Sequence, residues 1–264
     1  MMKVVTGIPC LIYKIYVGLV FAVTLLLLYP LFLIVLSRKS WRKYAFPINV
    51  FWSHLICFLM LVFVVRVKKS PIPKGPFMII ANHTSYFDIF LMYSILPHHR
   101  FLFMGKSEIL SYPLVKTFFK RLNIPVDRKD RRKAAQSFMQ ARQEIQKGWS
   151  LVIFPEGRIA DEVCPNMIPF KEGAFKLAKS EKIPIVPITF LDNYHLFSDP
   201  GDVLGWAHPG ISRICIHPTI TIEEVNALSE KELSQKAFGL VAGPLVERGI
   251  MTKEAFEAAK MPSK

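Results

Sequence analysis

The chain has 264 residues, 52% apolar and 20% charged, and its 34 Lys and Arg against 20 Asp and Glu leave a net charge of +14. That balance excludes a disordered chain, a collagen-like repeat and a small disulfide-stapled scaffold, and it tilts the protein toward membrane contact. Cys10, Cys57, Cys164 and Cys215 are too scattered for a disulfide framework or a C-x-x-C motif, which points to a reducing, cytosol-facing setting.

Taken in chain order, the first feature is charge. Residues 1–65 carry Lys3, Lys14, Arg38, Lys39, Arg42 and Lys43 and no acid. Such a segment favours anionic surfaces, and its aliphatic and aromatic density favours lipid headgroups over nucleic acid. Ile15–Leu36 is uncharged, and Phe46–Val65 has His54 as its one ionisable group. Each has the length of about 20 residues that a helix needs to cross a bilayer core, and neither ends in a small-residue cleavage site. With only Ser37–Ala45 between them, they are expected to form a membrane-embedded helical hairpin, kinked at Pro30. The flanking cations do not orient it, so a double span and a hairpin seated in one leaflet both stay open.

The proline-, glycine- and lysine-rich stretch 68–76 reads as a linker, dividing residues 1–67 from a domain over 68–264. There, short apolar runs (Phe77–Ala81, Leu151–Phe154, Ile183–Phe190, Ile211–Ile222) alternate with helical patterns over Arg131–Lys147, Phe170–Lys179 and Glu230–Glu247. This alternation predicts an α/β domain, with chemistry on loops just past strand ends. The loop after Ala81 reads Asn82-His83-Thr84-Ser85-Tyr86-Phe87-Asp88. Positions five apart on one helix point about 140° away from each other, but Thr84 or Ser85 as a cap lets the chain turn, so that an Asp88 carboxylate reaches the His83 imidazole. Such a pair strips a proton from a substrate hydroxyl without a protein nucleophile or a metal. The plainer alternative is a capped helix with an incidental histidine. The loop after Phe154 reads Pro155-Glu156-Gly157-Arg158. Its glycine permits an unusual turn and its arginine offers a planar fork for phosphate, unless Glu156 and Arg158 merely pair with each other. The basic run 120–133 suits a solvated helix start or an anionic partner. The remaining histidines lack metal-ligand spacing, and no metal is expected.

The two loops, in this order, resemble the glycerolipid acyltransferases, and the chain looks closest to 1-acyl-glycerol-3-phosphate acyltransferases. Lys106 in Met-Gly-Lys-Ser-Glu, Leu122–Arg128, Pro169–Phe175 and Val186-Pro187-Ile188 resemble further blocks of that family. The resemblance implies a mixed sheet flanked by helices after a membrane-embedding hairpin, and membrane localisation with the catalytic domain facing the cytoplasm. It implies His83 as general base, Asp88 as its partner and Asn82 shaping the turn. Glu156, Gly157 and Arg158 would hold the acceptor's phosphate with Arg128 and Lys106 adding charge, and Val186, Pro187 and Ile188 would line the acyl region. The implied reaction is O-acylation of lysophosphatidic acid to phosphatidic acid, with acyl-CoA or acyl-ACP as donor substrate, no bound cofactor, membrane lipid as partner and no nucleic acid. Two departures stand out: Arg158 directly follows Gly157 where the family has Glu-Gly-Thr-Arg, and Asn123 stands where a glycine is common. Acylation of another lysolipid, hydrolysis of a lipid or thioester, and non-enzymatic binding are the alternatives; no G-x-S-x-G nucleophile elbow supports hydrolysis.

Overall fold

A computed structural model describes residues 2–111, 113–198 and 202–260. In chain order the elements are α1 (Met2–Val35), α2 (Ala45–Leu59), β1 (Val62–Lys69), β2 (Met78–Ala81), α3 (Phe87–Ile95), β3 (Phe101–Lys106), α4 (Pro113–Leu122) and β4 (Ile124–Val126). They continue with α5 (Arg131–Gln146), β5 (Ser150–Ile153), α6 (Gly173–Glu181), β6 (Ile185–Phe190), α7 (Asn193–Leu196), β7 (Gly210–Ile216), α8 (Ile222–Ala227), α9 (Glu230–Glu247) and α10 (Lys253–Lys260).

The strands form one mixed sheet in the order β1-β7-β6-β2-β5-β3-β4. All neighbours are parallel except β6 and β7, so β1 and β7 run against the other five. The central strands β2, β5 and β6 are buried at every position, as the continuous runs Met-Ile-Ile-Ala, Ser-Leu-Val-Ile and Ile-Val-Pro-Ile-Thr-Phe require of a sheet covered on both faces. Helices α5, α6 and α9 pack around β4, β5 and β6, while α2 and α3 pack on each other and on β1. The α/β expectation therefore holds, with mixed strand directions.

The second half of the expected hairpin is different. Its helix stops at Leu59, Leu61 takes a left-handed backbone with φ of 54°, and Val62 starts β1, which pairs with β7 from Val62↔Gly210 onward. An apolar run of β-branched residues reads equally as buried helix or as strand, and here Val62, Val64 and Val65 went to the sheet. The boundary expected at Val67 consequently falls inside β1. Helix α1 is longer than expected, and Gly7–Val35 is long and apolar enough to cross a membrane, although 22% of its most apolar window is buried in the protein.

Both ends of this helix pair are fastened to the α/β domain. Trp52 of α2 donates its indole N–H to Thr24 at 2.9 Å, stacks with Phe21 and meets Phe90 edge-on, and the Ser53 hydroxyl donates to the Phe90 carbonyl at 2.6 Å. In the link between α1 and α2, Arg42 pairs with the buried Glu144 of α5 and lies over the Trp149 ring. Near the start of α1, Lys14 Nζ donates to Ser198 Oγ at 2.9 Å.

Ile79 sits fully buried in the middle strand, so Ile79→Ala is expected to lower stability by about 2–5 kcal/mol. Chemical denaturation in detergent checks this, and a loss well below that range would contradict the packing of β2.

Candidate active site

β2 and β5 are adjacent and parallel, in the register Met78↔Leu151 and Ile80↔Ile153. Extending that register past the strand ends sets His83 opposite Glu156, which is how two loops far apart in sequence come to share one site. The backbone makes the join: the His83 N–H donates to Glu156 Oε1 at 2.9 Å, and the Ile168 N–H donates to Oε2 at 3.0 Å. Asn82 locks the turn from the other side. Its Nδ2 donates to the Phe190 carbonyl at 2.9 Å, and its Oδ1 accepts the Phe190 N–H at 2.8 Å, so the end of β2 is tied to the end of β6.

Beyond His83 the chain turns into α3, with Ser85 Oγ accepting the Phe87 N–H at 3.1 Å and Asp88 in the first turn. The expected meeting takes place: His83 Nδ1 lies 2.9 Å from Asp88 Oδ2. The same oxygen accepts the Thr84 and Ser85 N–H groups at 2.8 and 3.0 Å, and Oδ1 accepts Asn193 Nδ2 at 2.6 Å. Asp88 is fully buried, and these donors compensate for the water it has lost. A carboxylate so supplied can only accept from the imidazole, which assigns the ring proton to Nδ1 and leaves Nε2 as the basic nitrogen. The ring stacks on Phe154 with centroids 4.0 Å apart, and its side chain is 14% exposed.

His83 lines a hollow of about 960 Å³. Apolar walls come from Ile15, Phe21 and Leu25 of α1, Phe90 of α3 and Phe118 of α4, while Lys106, Arg128 and Arg158 lie along its polar part. Gly157 has φ of +81°, a conformation that favours glycine, and a Cβ there would run into the Arg128 guanidinium. Arg128 Nη1 donates to the Gly157 carbonyl at 2.9 Å, and Lys171 lies beside both. Burial and the neighbouring Arg128, Lys106 and Arg158 all lower the Lys171 pKa, as expected where cations converge.

Several sequence-based assignments are corrected here. Glu156 does not face a phosphate: it is 2% exposed, with both carboxyl oxygens accepting backbone N–H groups, so it joins the two loops. Arg158 does not pair with Glu156; it forms a two-pronged pair with Glu162, four residues on. Val186, Pro187 and Ile188 are buried inside β6 and line no part of the hollow, whose apolar walls come from helices instead. Asn193, Phe154 and Lys171 are site residues that sequence reasoning missed. Asn193 stands 105 residues from Asp88 and no local pattern marks it. Lys171 was visible as part of the Pro169–Phe175 block but carried no role. Among the described residues no group of His, Cys, Asp and Glu has the arrangement of a metal site.

Residues 64–191 match the family model described as Acyltransferase. The chain is 28% identical over 220 residues to a 1-acyl-sn-glycerol-3-phosphate acyltransferase of Chlamydomonas reinhardtii, covering 80% of this chain and 64% of that one. It is 34% identical over 156 residues to the 1-acyl-sn-glycerol-3-phosphate acyltransferase of Saccharomyces cerevisiae, covering 56% and 51%. The chain thus spans between about half and two thirds of the length of these relatives. The crystal structure of the 1-acyl-sn-glycerophosphate acyltransferase of Thermotoga maritima superposes with a TM-score of 0.72 at 22% identity over 98% of this chain and all of that one, a likeness of fold.

Burial raises the Glu156 carboxyl from 4.5 to about 8, against the two N–H donors that favour its charged form. An acid with a raised folded-state pKa holds its proton more tightly when folded, so its contribution to stability is lost as pH climbs from about 4.5 to about 8. Wild-type Tm should therefore fall relative to Glu156→Gln across that range. Parallel pH profiles would contradict it.

Proposed function

From the acyltransferase domain carried over residues 64–191, we propose that this chain moves a fatty acyl group from a thioester to the sn-2 hydroxyl of 1-acyl-glycerol-3-phosphate, giving phosphatidic acid. The observation that supports it most is the His83–Asp88 pair at 2.9 Å, set where an apolar hollow meets a cluster of cations. His83 Nε2 takes the hydroxyl proton as the oxygen attacks the thioester carbonyl. A C–O bond forms, the C–S bond breaks, and the proton passes from the imidazolium to the departing thiolate of coenzyme A or acyl carrier protein. Asp88 stabilises the imidazolium in between without taking its proton. Arg128 and Lys106 hold the acceptor's phosphate, with Arg158 reaching it only by leaving Glu162. The acyl chains lie along α1, α3 and α4.

The names of the relatives support the acceptor; the donor carrier rests on the chemistry of the transfer. Membrane placement is supported by α1. From Lys14 to its end at Val35 it runs about 32 Å at 1.5 Å per residue, roughly the thickness of a bilayer core, yet Lys14 and Arg42 just past that end both bind the α/β domain. A helix crossing the bilayer would separate those two cations into opposite aqueous phases. The helix pair therefore lies within one leaflet with the domain on a single side, where its outward leucines and isoleucines meet acyl chains and the basic link meets headgroups.

Purified protein in lipid, given lysophosphatidic acid with acyl-CoA or acyl-ACP, should form a diacyl product, and His83→Ala should lower kcat by about 10²–10⁴. Release of free fatty acid at the same rate with and without acceptor would replace this reading by hydrolysis. Arg128→Ala should raise KM for the phosphate-bearing acceptor more than for the donor, whereas equal effects would remove Arg128 from the phosphate site.

A further inference from the structure

The turn between α7 and β7 presents side chains used neither by the sheet nor by the reaction. Val203, Leu204 and Trp206 are 52%, 46% and 56% exposed. The presentation is built rather than loose. The Ser198 N–H donates to the Trp206 carbonyl at 2.8 Å, the Gly205 N–H donates to the Asp202 carbonyl at 2.9 Å, and Phe197 bridges Ala207. Gly205 has no room for a Cβ, which would meet the Asp202 carboxylate and the Ser198 hydroxyl. His195 and His208 stand edge-on to the Trp206 indole, at 5.6 and 6.5 Å between centroids, and keep the ring outward.

Two contacts join this turn to α1. Lys14 Nζ donates to Ser198 Oγ and to the Asp202 carbonyl, and Leu204 lies over Gly7, where an added Cβ would crowd it. Next to that contact α1 turns Ile8 and Ile12 outward, 52% and 63% exposed. The apolar turn is thus continuous with the uncovered face of the most apolar helix in the chain. Val203 also lines the hollow that holds His83. An aliphatic pair with a tryptophan beside it, continuous with that exposed helix face, matches the acyl–headgroup boundary of a bilayer better than a protein groove.

We propose that Val203, Leu204 and Trp206 insert into the bilayer surface beside α1 and form the lipid-facing rim of the hollow, so that a lysolipid enters from the leaflet past this turn. The proposal rests on the reading of α1 as lying in a leaflet. It is tested by tryptophan quenching of the full chain in vesicles of phosphatidylcholine and phosphatidylglycerol with brominated acyl chains, comparing wild type with Trp206→Phe. Trp206→Phe should lose roughly half or more of the emission that bromine quenches, since Trp52 and Trp149 are buried and Trp41 sits on the far link. Equal quenching in both proteins would overturn the insertion of this turn while leaving α1 in the membrane. Absence of quenching in wild type would overturn both. Shielding of Trp206 from acrylamide that grows with protein concentration without lipid would assign the turn to a second copy of the chain and overturn the proposal.

Discussion

The site is organised around one buried negative charge. Asp88 has no access to water, so its carboxylate must be supplied with hydrogen bonds by the protein, and the turn from β2 into α3 supplies them through the Thr84 and Ser85 N–H groups. Asn193 completes the shell, and its own amide oxygen accepts from the Ser212 hydroxyl at 2.6 Å, so the chain of bonds runs from β7 through α7 to the loop that carries His83. Once the carboxylate is fixed, the tautomer and tilt of His83 follow. The parallel register of β2 and β5 then sets the distance between this base and the second loop, with Glu156 as the tie.

Much of this was legible in the sequence, and the reasons are local. The His83–Asp88 meeting was legible as one of two readings, because a helix cap between them lets the chain turn through the angle that a continuous helix forbids, and the role of Asn82 came from the resemblance. The buried strands β2 and β5 and the helix α5 were legible from continuous apolar runs and from helical spacing. What was not legible depends on long-range packing. Val62–Val65 reads the same as helix or strand until β7 is there to pair with it, and β1 took residues that the hairpin was expected to hold. The pairing of Arg158 with Glu162 was not foreseen, because the loop sequence raised only Glu156 as its partner. Val186, Pro187 and Ile188 were assigned to the acyl region by resemblance alone, and they are buried in β6, while the apolar walls of the hollow come from helices.

The helix pair links the two halves of the account. Its outer face is apolar and exposed, while its inner face forms a wall of the hollow through Ile15, Phe21 and Leu25. On the proposed reading, one element would both seat the protein at the lipid boundary and shape the space for a fatty chain. The attachment of this pair to the same domain through Lys14 and Arg42 would, on that reading, hold the mouth of the hollow at the level of the leaflet.

The central claim is that Asp88 holds the His83 proton on Nδ1 and frees Nε2 to act as base. Nitrogen-15 NMR of the protein labelled at histidine, with His83 assigned by difference from His83→Ala, reads that tautomer directly at a pH where the ring is neutral. The account predicts a protonated Nδ1 and an unprotonated Nε2. A protonated Nε2 with a bare Nδ1 would contradict it.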